Sequence, residues 1–183
     1  QNRRRSSRVN GRFNMITLRG NDSQHAIVLE AMTADGARVL GEGFAVIDPW
    51  ARYPFPASAL ERYLGTVESN APRYAIRVGG ATAGAIGTRD GWLRGPYLQF
   101  LGILPAFQNL GIGGLALLWF EDAARAKGER NIWVAASDFN SAGLRFYERH
   151  GFERAAVLDD LVSDGVSEVL LRKRLAVKSA SHK

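Results

Sequence analysis

The run Gln108-Asn109-Leu110-Gly111-Ile112-Gly113-Gly114 joins three glycines and two side-chain amides to the start of an apolar helical pattern. A helix start exposes unpaired backbone N–H groups and the positive end of its dipole. Glycine lets a ligand approach that backbone closely. The run therefore has the makings of a phosphate or pyrophosphate cradle, with Gln108 and Asn109 as further uncharged donors. A second set lies downstream, with Asn140 at a helix start and Tyr147 seven residues on. Seven residues make nearly two helical turns, so both lie on one face, about 10 Å apart along the axis. By residue type alone, Tyr147 reads as a half-buried packing residue. A third set is aromatic: Trp50, Tyr53 and Phe55 crowd into a Gly- and Pro-bearing stretch from Gly41 to Pro56. The prolines predict a loop, and the aromatics either line an apolar pocket or fill the core beneath it.

The segment Gly111-Ile112-Gly113-Gly114-Leu115-Ala116 also fits G-x-G-x-x-A, the dinucleotide fingerprint, and Asp138 stands near the place of a ribose-binding acid. Three features oppose that reading. Residues 105–110 separate the glycines from the preceding strand, whereas the fingerprint's first glycine follows its strand directly. The motif lies past mid-chain with no further run of βαβ units, and the chain closes on a hairpin.

The elements that must position these residues follow from pattern. Met15 to Arg19 reads as a strand, and Asn21, Asp22 and Ser23 offer N-caps for a helix, or a pair broken near Gly36, reaching about Leu40. Ser58, with Glu61 three residues on, predicts a capped helix to about Glu68. Strands are expected over 74–78, 82–88 and 97–104, with turns at Gly79-Gly80 and Asp90-Gly91. Ile112, Leu115, Ala116, Trp119, Phe120 and Ala123 follow the i, i+3, i+4 spacing of a helix that Gly128 ends. A strand over 132–136, a helix from Asn140 to Arg149 and a last hairpin over 152–175 complete the chain. The fold class is thus α+β: a mixed, mostly antiparallel central sheet flanked by about four helices.

Composition narrows the chemistry. The chain has 183 residues, 46% of them hydrophobic, as expected of one domain with a real core. No stretch nears the roughly 18 consecutive apolar residues of a membrane span. Cysteine is absent, and His25, His150 and His182 are scattered, so no metal site is expected. The net charge of +6 comes largely from residues 1–14, which hold five arginines and no acid, leaving 19 basic against 18 acidic residues. That distribution argues against a nucleic-acid partner for the folded part. Residues 1–14 read as a flexible tail or an expression remnant, residues 15–176 as the domain and residues 177–183 as a C-terminal tail. With neither an export signal nor cysteine, a cytoplasmic location is expected.

The segment Leu101-Gly102-Ile103-Leu104-Pro105-Ala106-Phe107-Gln108-Asn109-Leu110-Gly111-Ile112-Gly113 resembles the acetyl-CoA-binding segment of the GNAT superfamily of N-acetyltransferases. Gln108, Gly111 and Gly113 fill its [RQ]-x-x-G-x-[GA] pattern. Asn140-Ser141-Ala142 and Phe146-Tyr147-Glu148-Arg149-His150-Gly151-Phe152 resemble the family's N-x-x-A…[FL]-Y-x-x-x-G-F block, with the alanine displaced by one position. The likeness covers Met15 to Leu175.

The resemblance implies an acetyl-CoA-dependent N-acetyltransferase acting on a primary amine of a small molecule or peptide, with acetyl-CoA as acyl donor and no metal. It implies that the backbone of Leu101 and Ile103 pairs with the pantetheine arm, and that the amides of Gln108, Asn109, Leu110, Gly111, Ile112, Gly113 and Gly114 hold the pyrophosphate. Asn140 would contact the pantetheine and Tyr147 would protonate the departing sulfur. Glu148, Arg149 and His150 read as solvent-facing. Many members carry a strand carboxylate as base, but Tyr97-Leu98-Gln99-Phe100-Leu101 has none. A water chain, Asp48 or Asp90 remain open for that task. Trp50, Tyr53 and Phe55 are the candidates for the acceptor site. A non-catalytic acetyl-CoA sensor or interaction module is the alternative, a homodimer stays open, and no membrane partner is expected.

Overall fold

Burial alternates along Gly95–Ile103, the strand around which the molecule is arranged. The computed structural model describes residues 15–18 and 26–176. The expectations for the two tails and for Asn21, Asp22 and Ser23 fall outside these described residues. Within them, eight strands form one sheet: β1 (Ile16–Leu18), β2 (Ile27–Ala31), β3 (Arg73–Val78), β4 (Ala81–Trp92), β5 (Gly95–Ile103), β6 (Asn131–Ser137), β7 (Glu153–Asp159) and β8 (Ser167–Arg174). Their order across the sheet is β1-β2-β3-β4-β5-β6-β8-β7. Every neighbouring pair is antiparallel except β5 with β6. The four α-helices are α1 (Ala34–Ala45), α2 (Ala57–Gly65), α3 (Ile112–Ala126) and α4 (Ser141–Arg149). The class is α+β, as expected.

Two apolar cores lie on opposite faces. Ile112, Leu117 and Phe120 of α3 and Leu144 of α4 pack with Ile76, Ile86, Leu98 and Ile132. Leu40 and Phe44 of α1 and Leu60 and Leu64 of α2 pack with Ala75, Ala85 and Phe100. Leu98 and Phe100, two apart on one strand, thus enter different cores. The register explains it. Thr88 pairs with Leu98 but Gly87 pairs with Phe100, so Gln99 is an extra residue, and a bulge there turns β5 over.

Several expectations are corrected. Residues 27–31 form β2, because Ile27 and Leu29 alternate inward and pair with both β1 and β3. The first helix starts later, with Thr33 Oγ1 accepting from Gly36 N–H, and continues unbroken through Gly36 to Ala45. Helix α2 begins directly after Pro56 without a side-chain cap, so Ser58 and Glu61 form no capping box, and it ends at Gly65. Strand β4 runs on through Asp90-Gly91 to Trp92, which stacks on Tyr97; the turn falls at Leu93-Arg94, both at positive φ. No helix among the described residues is long and apolar enough to cross a membrane.

Candidate active site

Strands β5 and β6 are paired only at Tyr97–Trp133 and Leu98–Val134. Past the bulge they part, and the gap opens a cavity of 540 Å³. Leu101 and Gln99 line it from β5, Ser137 from β6, and Asn140 and Tyr147 from α4.

The freed edge of β5 carries backbone donors. Leu104 N–H donates to Ala83 O at 2.8 Å. Counting back along the antiparallel register makes Gly102–Ala85 the next hydrogen-bonded pair. The N–H and C=O groups of Leu101 and Ile103 therefore point away from β4, toward the edge that β6 has left. Gly102 between them is required by packing: a Cβ there would meet the rings of Phe44 and Trp50 at 2.7 Å.

Beyond Ile103 the chain turns through a short 3₁₀ segment, Pro105–Phe107, and enters α3. Gln108 is consumed inside this turn. Its backbone N–H donates to Pro105 O at 3.3 Å and its side-chain amide to Ile103 O at 2.9 Å. Gln108 thus shapes the loop, and the unpaired amides begin at Asn109. Gly111 N-caps α3 at φ +75°, with open space where a Cβ would sit, so the backbone conformation rather than crowding calls for glycine. The first backbone bond of α3 is Leu115 N–H to Gly111 O at 3.1 Å. The amides of Asn109, Leu110, Gly111, Ile112, Gly113 and Gly114 have no backbone or side-chain acceptor among the described residues. No acidic side chain stands in the first turn. This arrangement suits a pyrophosphate: donors in a row, the dipole's positive end, and no competing anion.

Helix α4 turns Asn140 and Tyr147 to the cavity together, as their spacing predicts. Asn140 Oδ1 accepts from Gly143 N–H at 3.0 Å and so caps the helix. Tyr147 is 8% exposed, with its ring against Phe146 and Phe152. Its hydroxyl has no hydrogen-bond partner among the described residues. Burial, with the neighbouring Tyr97, pushes its pKa well above the usual phenol range, which keeps the proton on it at neutral pH. His150 is half-buried rather than solvent-facing: its ring packs on Phe146 and against Gly114, and its Nδ1 lies 2.8 Å from Phe146 O.

Trp50, Tyr53 and Phe55 all line the cavity. Trp50 does both tasks foreseen for this loop, since it also stacks on Phe100 in the α1–α2 core. Asp48 and Asp90 do not line the cavity; they are bound to Arg52 at 3.0 Å and Lys127 at 2.6 Å. Sequence reasoning missed a carboxylate that is there, Glu168 of β8, and its neighbour Ser137 of β6, paired in register. Tyr53 donates to Glu168 Oε1 at 2.5 Å and is also hydrogen-bonded to Ser137. Burial and the Glu168 contact raise the Tyr53 pKa to about 12, against the opposing effect of Ser137. No local sequence signal marks Glu168, which sits in an ordinary hairpin strand. Among the described residues no cluster of His, Asp or Glu is placed to hold a metal ion.

No curated protein matches the chain by sequence. Solved structures do. The ribosomal-protein-S18-alanine N-acetyltransferase from Escherichia coli is 14% identical, with 86% of this chain and 99% of that one covered at a TM-score of 0.66. An acetyltransferase from Thermus thermophilus is 20% identical over 81% and 97% at 0.65. A GNAT family acetyltransferase from Elizabethkingia anophelis with acetyl-CoA bound is 17% identical over 81% and 98% at 0.61. At such identities the likeness is one of fold. Residues 33–152, well over half the chain, match the acetyltransferase (GNAT) family. That span holds the parted strands, the amide-lined turn and Tyr147, and the chain belongs to this family.

Proposed function

We propose that the protein transfers the acetyl group of acetyl-CoA to a primary amine of a small molecule or peptide by direct attack. One observation carries this reading: unpaired backbone donors stand in two sets, on Leu101 and Ile103 at the β5 edge and from Asn109 to Gly114 at the α3 N-terminus, and Tyr147 lines the same cavity as Leu101. Acetyl-CoA, when bound, supplies a thioester that a neutral amine can attack. The residues present fit it. The amides of Asn109 to Gly114 offer its pyrophosphate a cradle. The edge N–H groups of Leu101 and Ile103 and the C=O of Leu101 match the alternating amides of a pantetheine arm, and an N–H there can serve a carbonyl oxygen on which negative charge develops. Tyr147 holds a proton for a leaving thiolate; a thiol's pKa of about 8.5 lies below a phenol's, so the donation is uphill. Fixed geometry does the rest by holding the reacting groups together.

A non-catalytic sensor is the second reading, and Gln99 is its motive, since β5 carries no acid where many family members do. A CoA-release assay over a panel of primary amines separates the two. Turnover with at least one amine is expected. Tight acetyl-CoA binding without turnover on any amine would favour the sensor.

A further inference from the structure

Glu168 is 6% exposed, yet no lysine or arginine among the described residues lies within ion-pair distance of it. It is also the one charged side chain among the described residues lining the cavity. A buried carboxylate without a cation is costly, and a fold that keeps one has a use for a positive ligand. Its geometry is held. Tyr53 has one phenolic proton and gives it to Glu168 Oε1, so in its contact with Ser137 it must accept from the serine hydroxyl. Oε1 is thereby pinned, while Oε2 has no partner among the described residues. Much of the remaining wall is aromatic, with Trp50, Phe55, Tyr63, Tyr97 and Phe100 lining the same cavity. Aromatic faces attract ammonium groups and pack on rings. A single carboxylate suits one positive charge, not a string of them.

We propose that Glu168 is the acceptor site and the missing base, and that the acceptor is a primary amine carried on an apolar ring. This rests on the acetyl-transfer reading above. The ammonium pairs with Glu168 Oε2 and gives it a proton: one N–H bond breaks, one O–H bond forms, and the nitrogen keeps its lone pair for attack. Tyr53 is a positioning residue that holds the carboxylate toward the ammonium. The base is thus supplied from β8, across the cavity from the strand that lacks an acid.

The test uses 2-phenylethylamine and its neutral counterpart 2-phenylethanol as probes on the full chain. Calorimetry measures their binding and, separately, that of acetyl-CoA. The wild type is expected to bind the amine well above the alcohol. Glu168→Gln should weaken amine binding at least about tenfold and lower kcat/KM at least about 100-fold, with acetyl-CoA affinity unchanged. Tyr53→Phe keeps the carboxylate and should show a smaller loss, in kcat more than in amine binding. Unchanged acetyl-CoA binding by both variants guards against a folding defect. If Glu168→Gln binds and acetylates the amine as the wild type does, the proposal is overturned and the transfer reading stands. Equal binding of amine and alcohol by the wild type overturns it too. If the wild type binds no acetyl-CoA, both readings fall, because a base then has no reaction to serve.

Discussion

Tyr147 is the side chain on which the chemistry turns most visibly. Burial takes its phenol out of water, raises its pKa and leaves its proton without a protein acceptor. Tyr147→Phe keeps the ring packed on Phe146 and Phe152 and removes only the acid. The expected result is a fall in kcat of about 100-fold or more, with acetyl-CoA affinity unchanged by calorimetry. An unchanged rate would remove Tyr147 from the acid role. This residue was legible in the sequence because a motif surrounds it and because Asn140 lies seven positions before it on the same face. Glu168 was not legible. Its relation to Tyr53 spans 115 positions and depends on how β8 lies against β6. Nothing local distinguishes it from a surface carboxylate on an exposed hairpin.

Between elements, the tie from α3 to the sheet is ionic as well as apolar. Glu121 of α3 is hydrogen-bonded to Lys173 of β8 at 2.5 Å and to Arg125 one turn on. Burial alone would raise its pKa, but Lys173 and Arg125 outweigh burial and hold it below 4.5. A carboxylate whose folded pKa is depressed contributes stability above its unfolded value and loses it as the pH falls through the folded one. Glu121→Gln should therefore cost about 1–3 kcal/mol at pH 7. In melts repeated at decreasing pH, the gap to the wild type should close below the unfolded value of 4.5. A gap constant down to strongly acid pH would contradict the ion-pair account. Helix α3 itself was plain from its spacing, and so was α4. Strand β2 was hidden because Leu29-Glu30-Ala31 are strong helix formers that mask the β-branched Ile27-Val28, and pairing with β1 and β3 makes the segment a strand. The bulge at Gln99 was hidden for a similar reason: it exists only in the register against β4.

At the scale of the molecule, the cleft is a consequence of one parallel pairing in an otherwise antiparallel sheet. Strands β5 and β6 meet at two residue pairs and part, so the sheet opens where its two cores change hands. That opening turns the β5 edge at Leu101 and the α4 end at Asn140 and Tyr147 toward one cavity, while the amides before α3 lie outside its lining. The sequence showed the strands and helices on either side, but a gap between them has no residues of its own to announce it. The central claim is that the free amides of the β5 edge and the α3 N-terminus take acetyl-CoA and not a dinucleotide. Calorimetric titration of the same protein with acetyl-CoA and with NAD tests it directly, with Gly111→Val as the control. The account predicts one acetyl-CoA site, no NAD binding, and weakening of acetyl-CoA in the variant, because valine resists the left-handed backbone at Gly111. NAD binding with no acetyl-CoA binding would contradict it.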